Sequence, residues 1–210
     1  MGYFPFFVDL DGKQGLIVGG GIVALRKIEN LLPYGPQLTV AAMSFESEIE
    51  KIEGLLLLQK SFAADMLEGK YFVIAATDDR ELNHVIANLC QEKNILVNVV
   101  DDREACTFIF PCLVKKGRLT AGISTEGASP SGAIYIKEKI KQWIPENFEE
   151  ILEFLEDKRG IVKKRISVEG QRTMVFTELF EQCLEKGRAL TEEEFEAVLH
   201  LAQNDLSQIL

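Results

Sequence analysis

The sequence has little of what would tie a chain to a metal, a disulfide scaffold or a bilayer. Its 210 residues include two histidines, His84 and His200, and four cysteines, Cys90, Cys106, Cys112 and Cys183, with no CxxC pair and no ligand spacing. Metal cages and bridged secreted folds both need such clusters, so neither a resident metal nor a disulfide framework is expected. Long hydrophobic runs are absent too. The apolar stretches at 55–58 and 96–100 are far shorter than the roughly 20 residues that cross a bilayer. Basic residues are outnumbered, and a net charge of −10 disfavours general binding to nucleic acid or to an anionic membrane, while leaving room for a local basic pocket. The first seven residues carry neither a basic stretch nor a small-residue cleavage site, which makes the cytoplasm the expected location.

What is present is an ordinary globular composition with enough apolar residues, 47%, for a sizeable core. The first half alternates. Strands are predicted at 14–18, 37–42, 55–58, 71–76 and 95–100, with a helix at 22–32 stopped near Pro33 and another at 81–92. Continuous apolar strands interleaved with amphipathic helices imply a parallel sheet covered on both faces, a doubly wound α/β domain of Rossmann-like type. After Pro111 the pattern changes. Residues 112–114 and 119–124, joined by Lys115-Lys116-Gly117-Arg118, predict a hairpin, and Ser129-Pro130 predicts the start of a helix over 131–144 that ends at Pro145. From Phe148 onward the period is helical, with Thr191-Glu192-Glu193-Glu194 as a capping box opening the last helix.

Four clusters carry chemistry. In the first, the strand at 14–18 runs through Gly19-Gly20-Gly21 into a helix. Gly19 permits a tight turn, Gly21 lets the backbone approach a diphosphate, Ala24 lets the helix pack closely, and the amides of Ile22 and Val23 face the negative charge. The bland alternative is a glycine turn without a ligand. No acidic residue ends the second strand to hold a ribose, and no arginine stands there for a 2′-phosphate; Met43 and Ser44 occupy that position. These residues alone do not choose NAD over NADP, and Ser44 serves equally well as the cap of a helix near Glu46. The second cluster is Ala75-Ala76-Thr77-Asp78-Asp79 at a strand end, where Thr77 is expected near the nicotinamide half of a dinucleotide; Thr77 or Asp78 capping the next helix is the competing reading. The third is Asn98-Val99-Val100-Asp101-Asp102. A carboxylate there can take a proton as hydride leaves a substrate, although a turn aspartate is an equal alternative. The fourth is Ser124-Thr125-Glu126-Gly127-Ala128-Ser129-Pro130, a small polar loop able to hold a carboxylate, or simply a capped turn. A basic triplet, Lys163-Lys164-Arg165, is either a solvated helix face or a contact for an anionic substrate.

These clusters, in this order and together with Phe4-Pro5-Phe6, resemble the precorrin-2 dehydrogenase and sirohydrochlorin ferrochelatase family, including the N-terminal part of bifunctional siroheme synthases. The resemblance implies NAD-linked oxidation of precorrin-2 to sirohydrochlorin, followed in some members by insertion of ferrous iron. It places NAD contacts on Gly21, Ile22, Val23, Met43, Ser44 and Thr77, beside the cofactor candidates Gly19 and Asp78 read from the turn and the strand end, and the key carboxylate on Asp101, where Asp102 departs from the small residue usual in the family. Tetrapyrrole contacts are expected from Asn98, Ser124, Thr125, Lys163 and Lys164, with Lys115, Lys116 and Arg118 as further basic lining. The implied organisation is a Rossmann domain at 1–112, a homodimerisation segment at 113–145 and a small helical domain at 146–210. A rival from another class is an NAD(H)-sensing regulatory module, for which no basic recognition helix is evident.

Overall fold

Residues 14–18 set the architecture. Gln14–Val18 (β1) is buried at every position after the first, and a strand covered on both faces belongs in the middle of a sheet. In the computed structural model, which describes residues 3–207, β1 pairs in parallel with Gln37–Ala42 (β2) on one side. On its other side lies Phe72–Ala75 (β4). Leu56–Gln59 (β3) adds beyond β2 and Leu96–Val99 (β5) beyond β4, giving the order β3-β2-β1-β4-β5.

Alternation along these strands divides the core in two. Ile17, Val40 and Ile74 pack with Ala24 and Ile28 of the helix Ile22–Leu31 (α1). Leu16, Val73 and Val97 pack instead with Ile86, Ala87 and Cys90 of the helix Arg80–Glu92 (α3). Helices on both faces make the doubly wound sheet the sequence predicts. Truncating Ile17 or Ile74 to alanine in these layers costs about 2–5 kcal/mol. Because α1 and α3 pack on opposite faces, the connections after β1 and β4 diverge at the carboxyl edge of the sheet, the place where ligands of open α/β sheets gather. Register places Val18, Ala75 and Val99 at one level, so the segments that follow them share that edge.

The strands predicted at 71–76 and 95–100 are each shorter by one residue at either end. Ala76 and Val100 still donate to Val18 and Ala75 carbonyls, at 2.8 and 3.0 Å, before the chain turns away. The predicted strand at 55–58 shifts by one residue to Leu56–Gln59.

The chain divides into two compact units after Phe110. The second begins with the antiparallel hairpin Cys112–Lys116 (β6) and Leu119–Ile123 (β7). Four helices follow: Pro130–Trp143 (α4), Phe148–Arg165 (α5), Glu169–Lys186 (α6) and Glu192–Ser207 (α7). Ser129 Oγ caps α4 by accepting from Gly132 N at 2.9 Å, with Pro130 in the first turn. Ile151, Val162, Leu179, Cys183, Phe195 and Leu199 form the core of α5–α7. The capping box at α7 is reciprocal. Thr191 Oγ1 accepts from Glu194 N, and Glu194 Oε2 accepts from Thr191 N at 2.8 Å. The Arg188 guanidinium, and then Lys186, also bond Glu194 and hold its carboxyl well below the usual carboxylate range. Along α4, Ile134, Tyr135, Ile136 and Trp143 stay exposed. Among the described residues no helix is long and apolar enough to cross a membrane.

Candidate functional site

The turn after β1 is built by sterics. Gly19 has φ +126°, and a Cβ there would lie 2.2 Å from the Ala76 carbonyl oxygen, so a side chain meets both a strained backbone and an immovable one. A Cβ on Gly20 would lie 2.0 Å from the Ser44 carbonyl oxygen. Hydrogen bonds complete the clamp, with Gly19 N donating to Ala41 O and Glu46 N donating to Gly20 O at 2.9 and 2.8 Å. Gly21 is different. It is exposed, and nothing lies within 4 Å of the place a Cβ would take. It is also the N-cap of α1, a ten-residue helix with no side-chain cap and no carboxylate in its first turn. Ile22 and Val23 stand exposed beside it. Opening amides with no side-chain cap, bordered by open space, fit the diphosphate of a dinucleotide.

Beyond β2, Met43 and Ser44 are exposed. Gln59 Nε2 donates to Met43 O at 3.2 Å. Ser44 does not cap a helix: the short helix Ser47–Glu50 (α2) begins three residues later with Glu46 at its cap position, because Ser44 is drawn against Gly20. At the end of β4, Thr77 is half-buried and fixed by Asn83 of α3. Thr77 Oγ1 donates to Asn83 Oδ1 at 2.7 Å, and Asn83 Nδ2 donates to Thr77 O at 3.0 Å. The cap of α3 is Asp79, which accepts from Leu82 N at 3.0 Å, so the capping role weighed for Thr77 or Asp78 falls two residues beyond the first and one beyond the second. Asp78 is exposed. Asn83 escaped the sequence reading. Its signal is a polar residue on the apolar stripe Asn83, Ile86, Ala87, Cys90, all buried.

The segment after β5 is built by side chains. Asp101 is exposed at φ +60°, a conformation that costs a non-glycine residue about 1 kcal/mol or more. Asp102 is committed elsewhere: one oxygen accepts from Glu104 N and Ala105 N at 3.1 and 3.2 Å, and the other lies 3.2 Å from His84 Nε2. Both aspartates border a small cavity with Arg80, Asn83 and His84. Cys106 stitches the loop to β5, its Sγ accepting from Val99 N and donating to Asp102 O, each at 3.1 Å. Burial pushes this thiol up, which keeps it a hydrogen-bond donor. Thr107 Oγ1 accepts from Val97 N at 2.7 Å. Asn98 is buried, and its Nδ2 donates to Phe108 O at 3.1 Å. The carbonyl can only accept, which fixes the amide's orientation. Asn98 Oδ1 is left buried without a partner.

The remaining predicted residues belong to the second unit. Ser124 Oγ accepts from Glu126 N, and Thr125 Oγ1 donates to Ser129 O at 3.0 Å, so both hydroxyls shape the turn that opens α4. Lys163 and Lys164 are exposed in the last turn of α5, where the neighbouring Arg165 pairs with Glu196 at 2.6 Å. Among the described residues no group of three His, Cys, Asp or Glu side chains could hold a metal ion.

Comparison with known proteins places these features. A family model described as "Putative NAD(P)-binding" matches residues 6–112. Siroheme synthase 1 of Serratia proteamaculans is 35% identical over 183 residues, which are 86% of this chain and 38% of that protein. Siroheme synthase of Sodalis glossinidius is 39% identical over 176 residues, 82% of this chain and 37% of the relative. Siroheme synthase 2 of Yersinia pestis is 36% identical over 208 residues, 96% and 44% respectively. The chain thus spans less than half the length of these relatives. Among solved structures, "SirC, precorrin-2 dehydrogenase" matches with a TM-score of 0.72 and 26% identity, covering 96% of this chain and all of that one. The relatives bear out the resemblance read from the motifs, and the family match spans the sheet, the glycine turn and the Asp101 loop. The chain belongs to this NAD(P)-binding family.

Proposed function

We propose that the protein is an NAD-dependent precorrin-2 dehydrogenase that forms sirohydrochlorin on the way to siroheme. One observation carries the reading: an open-faced glycine turn and a loop presenting an exposed carboxylate share one sheet edge, in a fold like that of SirC. Gly19, Gly21, Ile22 and Val23 would hold the diphosphate, Met43 and Ser44 the adenosine ribose, and Thr77 and Asp78 the nicotinamide half. NAD, when bound, supplies the hydride acceptor.

The oxidation removes two electrons and two hydrogens from the macrocycle. One C–H bond breaks with its electron pair, which leaves as hydride, and a proton is released. Asp101 takes that proton and passes it to water, an acid-base role worth roughly 10²- to 10⁴-fold in rate. Asp102, tied to His84 and to its own loop, holds the neighbouring backbone. Asn98, Ser124, Thr125, Lys163 and Lys164 are the proposed tetrapyrrole contacts, and the carboxylates of that substrate suit the two lysines.

In the same reading residues 1–112 are the cofactor domain, 113–145 pair two copies into a homodimer, and 146–210 form the helical domain of a cytoplasmic enzyme. The exposed Ile134, Tyr135, Ile136 and Trp143 of α4 favour the pairing. Ferrous iron, where it is inserted, is a substrate. Anaerobic incubation with precorrin-2 and NAD tests the proposal: NADH absorbance and the sirohydrochlorin spectrum should rise together, and adding ferrous iron then tests chelation. A protein that binds NADH yet leaves precorrin-2 unchanged would be a sensor instead.

A further inference from the structure

The helix α1 buries Ala24, Ile28 and Leu31, and Lys27 stands beside that stripe. Its side chain does not run out into water. Lys27 is half-buried, and its ammonium sits 3.8 Å from the centroid of the Phe110 ring. Burial lowers its pKa, and Cys106 and Asp101 are near enough to act on it in the opposite direction. Yet no carboxylate among the described residues lies within 4 Å of Lys27 Nζ. A lysine stem readily lies on apolar surface while its head stays in water, and drawing the head in without an anion is unfavourable. The aromatic face offsets part of that cost.

A second unsatisfied group lies on the same face of the sheet. Asn98 pairs in register with Ile74, which packs on the α1 side with Phe108 and Phe110, and its Oδ1 is buried without a donor. A cation with no carboxylate in contact among the described residues, on which Asp101 acts only from further off, and an acceptor lacking a donor complement a ligand that carries carboxylates and N–H groups.

We propose that Lys27 anchors a carboxylate of the tetrapyrrole substrate, with Phe110 holding the ammonium ready. The proposal rests on the dehydrogenase reading and adds to it a residue that touches substrate. A dinucleotide also offers anionic oxygens, so two binding assays separate the sources. NADH is titrated by fluorescence and sirohydrochlorin by anaerobic absorption, against wild type, Lys27→Met and Lys27→Arg. Methionine keeps the length of the stem without the charge.

The expected result is a roughly ten- to hundredfold loss of sirohydrochlorin affinity in Lys27→Met, the scale of one charge-assisted hydrogen bond. Lys27→Arg retains most of that affinity, NADH binding is unchanged in both variants, and the salt dependence of sirohydrochlorin binding is shallower in Lys27→Met. Unchanged sirohydrochlorin affinity in Lys27→Met overturns the proposal. So does a loss confined to NADH, which would assign Lys27 to the cofactor, and so does an equal loss in both variants with lowered melting temperatures, which would mark a packing role. The wild-type arm judges the dehydrogenase reading separately: a chain that binds NADH but not sirohydrochlorin removes that reading and Lys27's ligand together.

Discussion

Two loops at the same sheet edge reach their shapes by opposite means. The turn at Gly19–Gly21 is defined by side chains that are missing, because backbone from Ala76 and Ser44 fills the space a Cβ would need. The loop after β5 is defined by side chains that are present, with Asn98, Asp102, Cys106 and Thr107 each bonded to nearby backbone. In the proposed function the first would act through shape and helix amides, and the second through the charge of Asp101. Substitutions in the first should move folding and cofactor affinity, whereas those in the second should move turnover.

The largest effect is expected at Gly19. Gly19→Ala combines a positive φ with a contact no backbone can relieve, and should cost about 3 kcal/mol or more in denaturant unfolding. A fully stable Gly19→Ala would mean that the turn is not sterically set. Next comes Asp101→Asn, chosen because asparagine tolerates the left-handed backbone. Turnover of precorrin-2 should fall about a hundredfold with melting temperature and NADH affinity unchanged; near-normal turnover would remove Asp101 from the chemistry.

Asn83→Ala sits between the two loops and should show both signatures. It removes the bonds that Asn83 makes to the half-buried Thr77 and leaves only the one from the Thr77 hydroxyl to Asp79 O, at a cost of about 1–3 kcal/mol, and should weaken NADH binding. Gly21→Ala separates affinity from folding more sharply. Its methyl meets nothing in the protein, so stability should change by less than about 0.5 kcal/mol while NADH affinity drops roughly tenfold. Equal affinity would place the diphosphate elsewhere.

The smallest effect is alkaline. Burial raises the Cys106 thiol above its ordinary 9.0, so the unfolded chain releases that proton first. The stability this thiol contributes is present below pH 9 and is lost as pH rises toward the folded-state value. Melting curves of Cys106→Ser should decline less between pH 9 and 10 than those of the wild type.

The same contrast explains what could be read from the chain before its structure. The glycine turn was legible, because three glycines between an apolar strand and an amphipathic helix have few other uses, and the capping box at Thr191 and Glu194 was legible because both of its bonds are local. Asn83 was not. Its partner, Thr77, lies across a loop, and a lone asparagine on an apolar stripe gives no hint of what it holds. The unlike surroundings of Asp101 and Asp102 were not legible either, since only the fold brings His84 to one of them. Lys27 was hidden because lysine in an amphipathic helix reads as a solvated face, and Phe110 lies 83 residues away.

The cross-bracing of the glycine turn has a mechanical consequence. Since Glu46 N is tied to Gly20 O, and Gly19 N to Ala41 O, the ends of the first two strands are riveted into a single plate. A dinucleotide lying along it would feel one stiff support from adenosine to diphosphate, and deuterium uptake at the amides of Gly19 and Glu46 should slow in step when the cofactor is added.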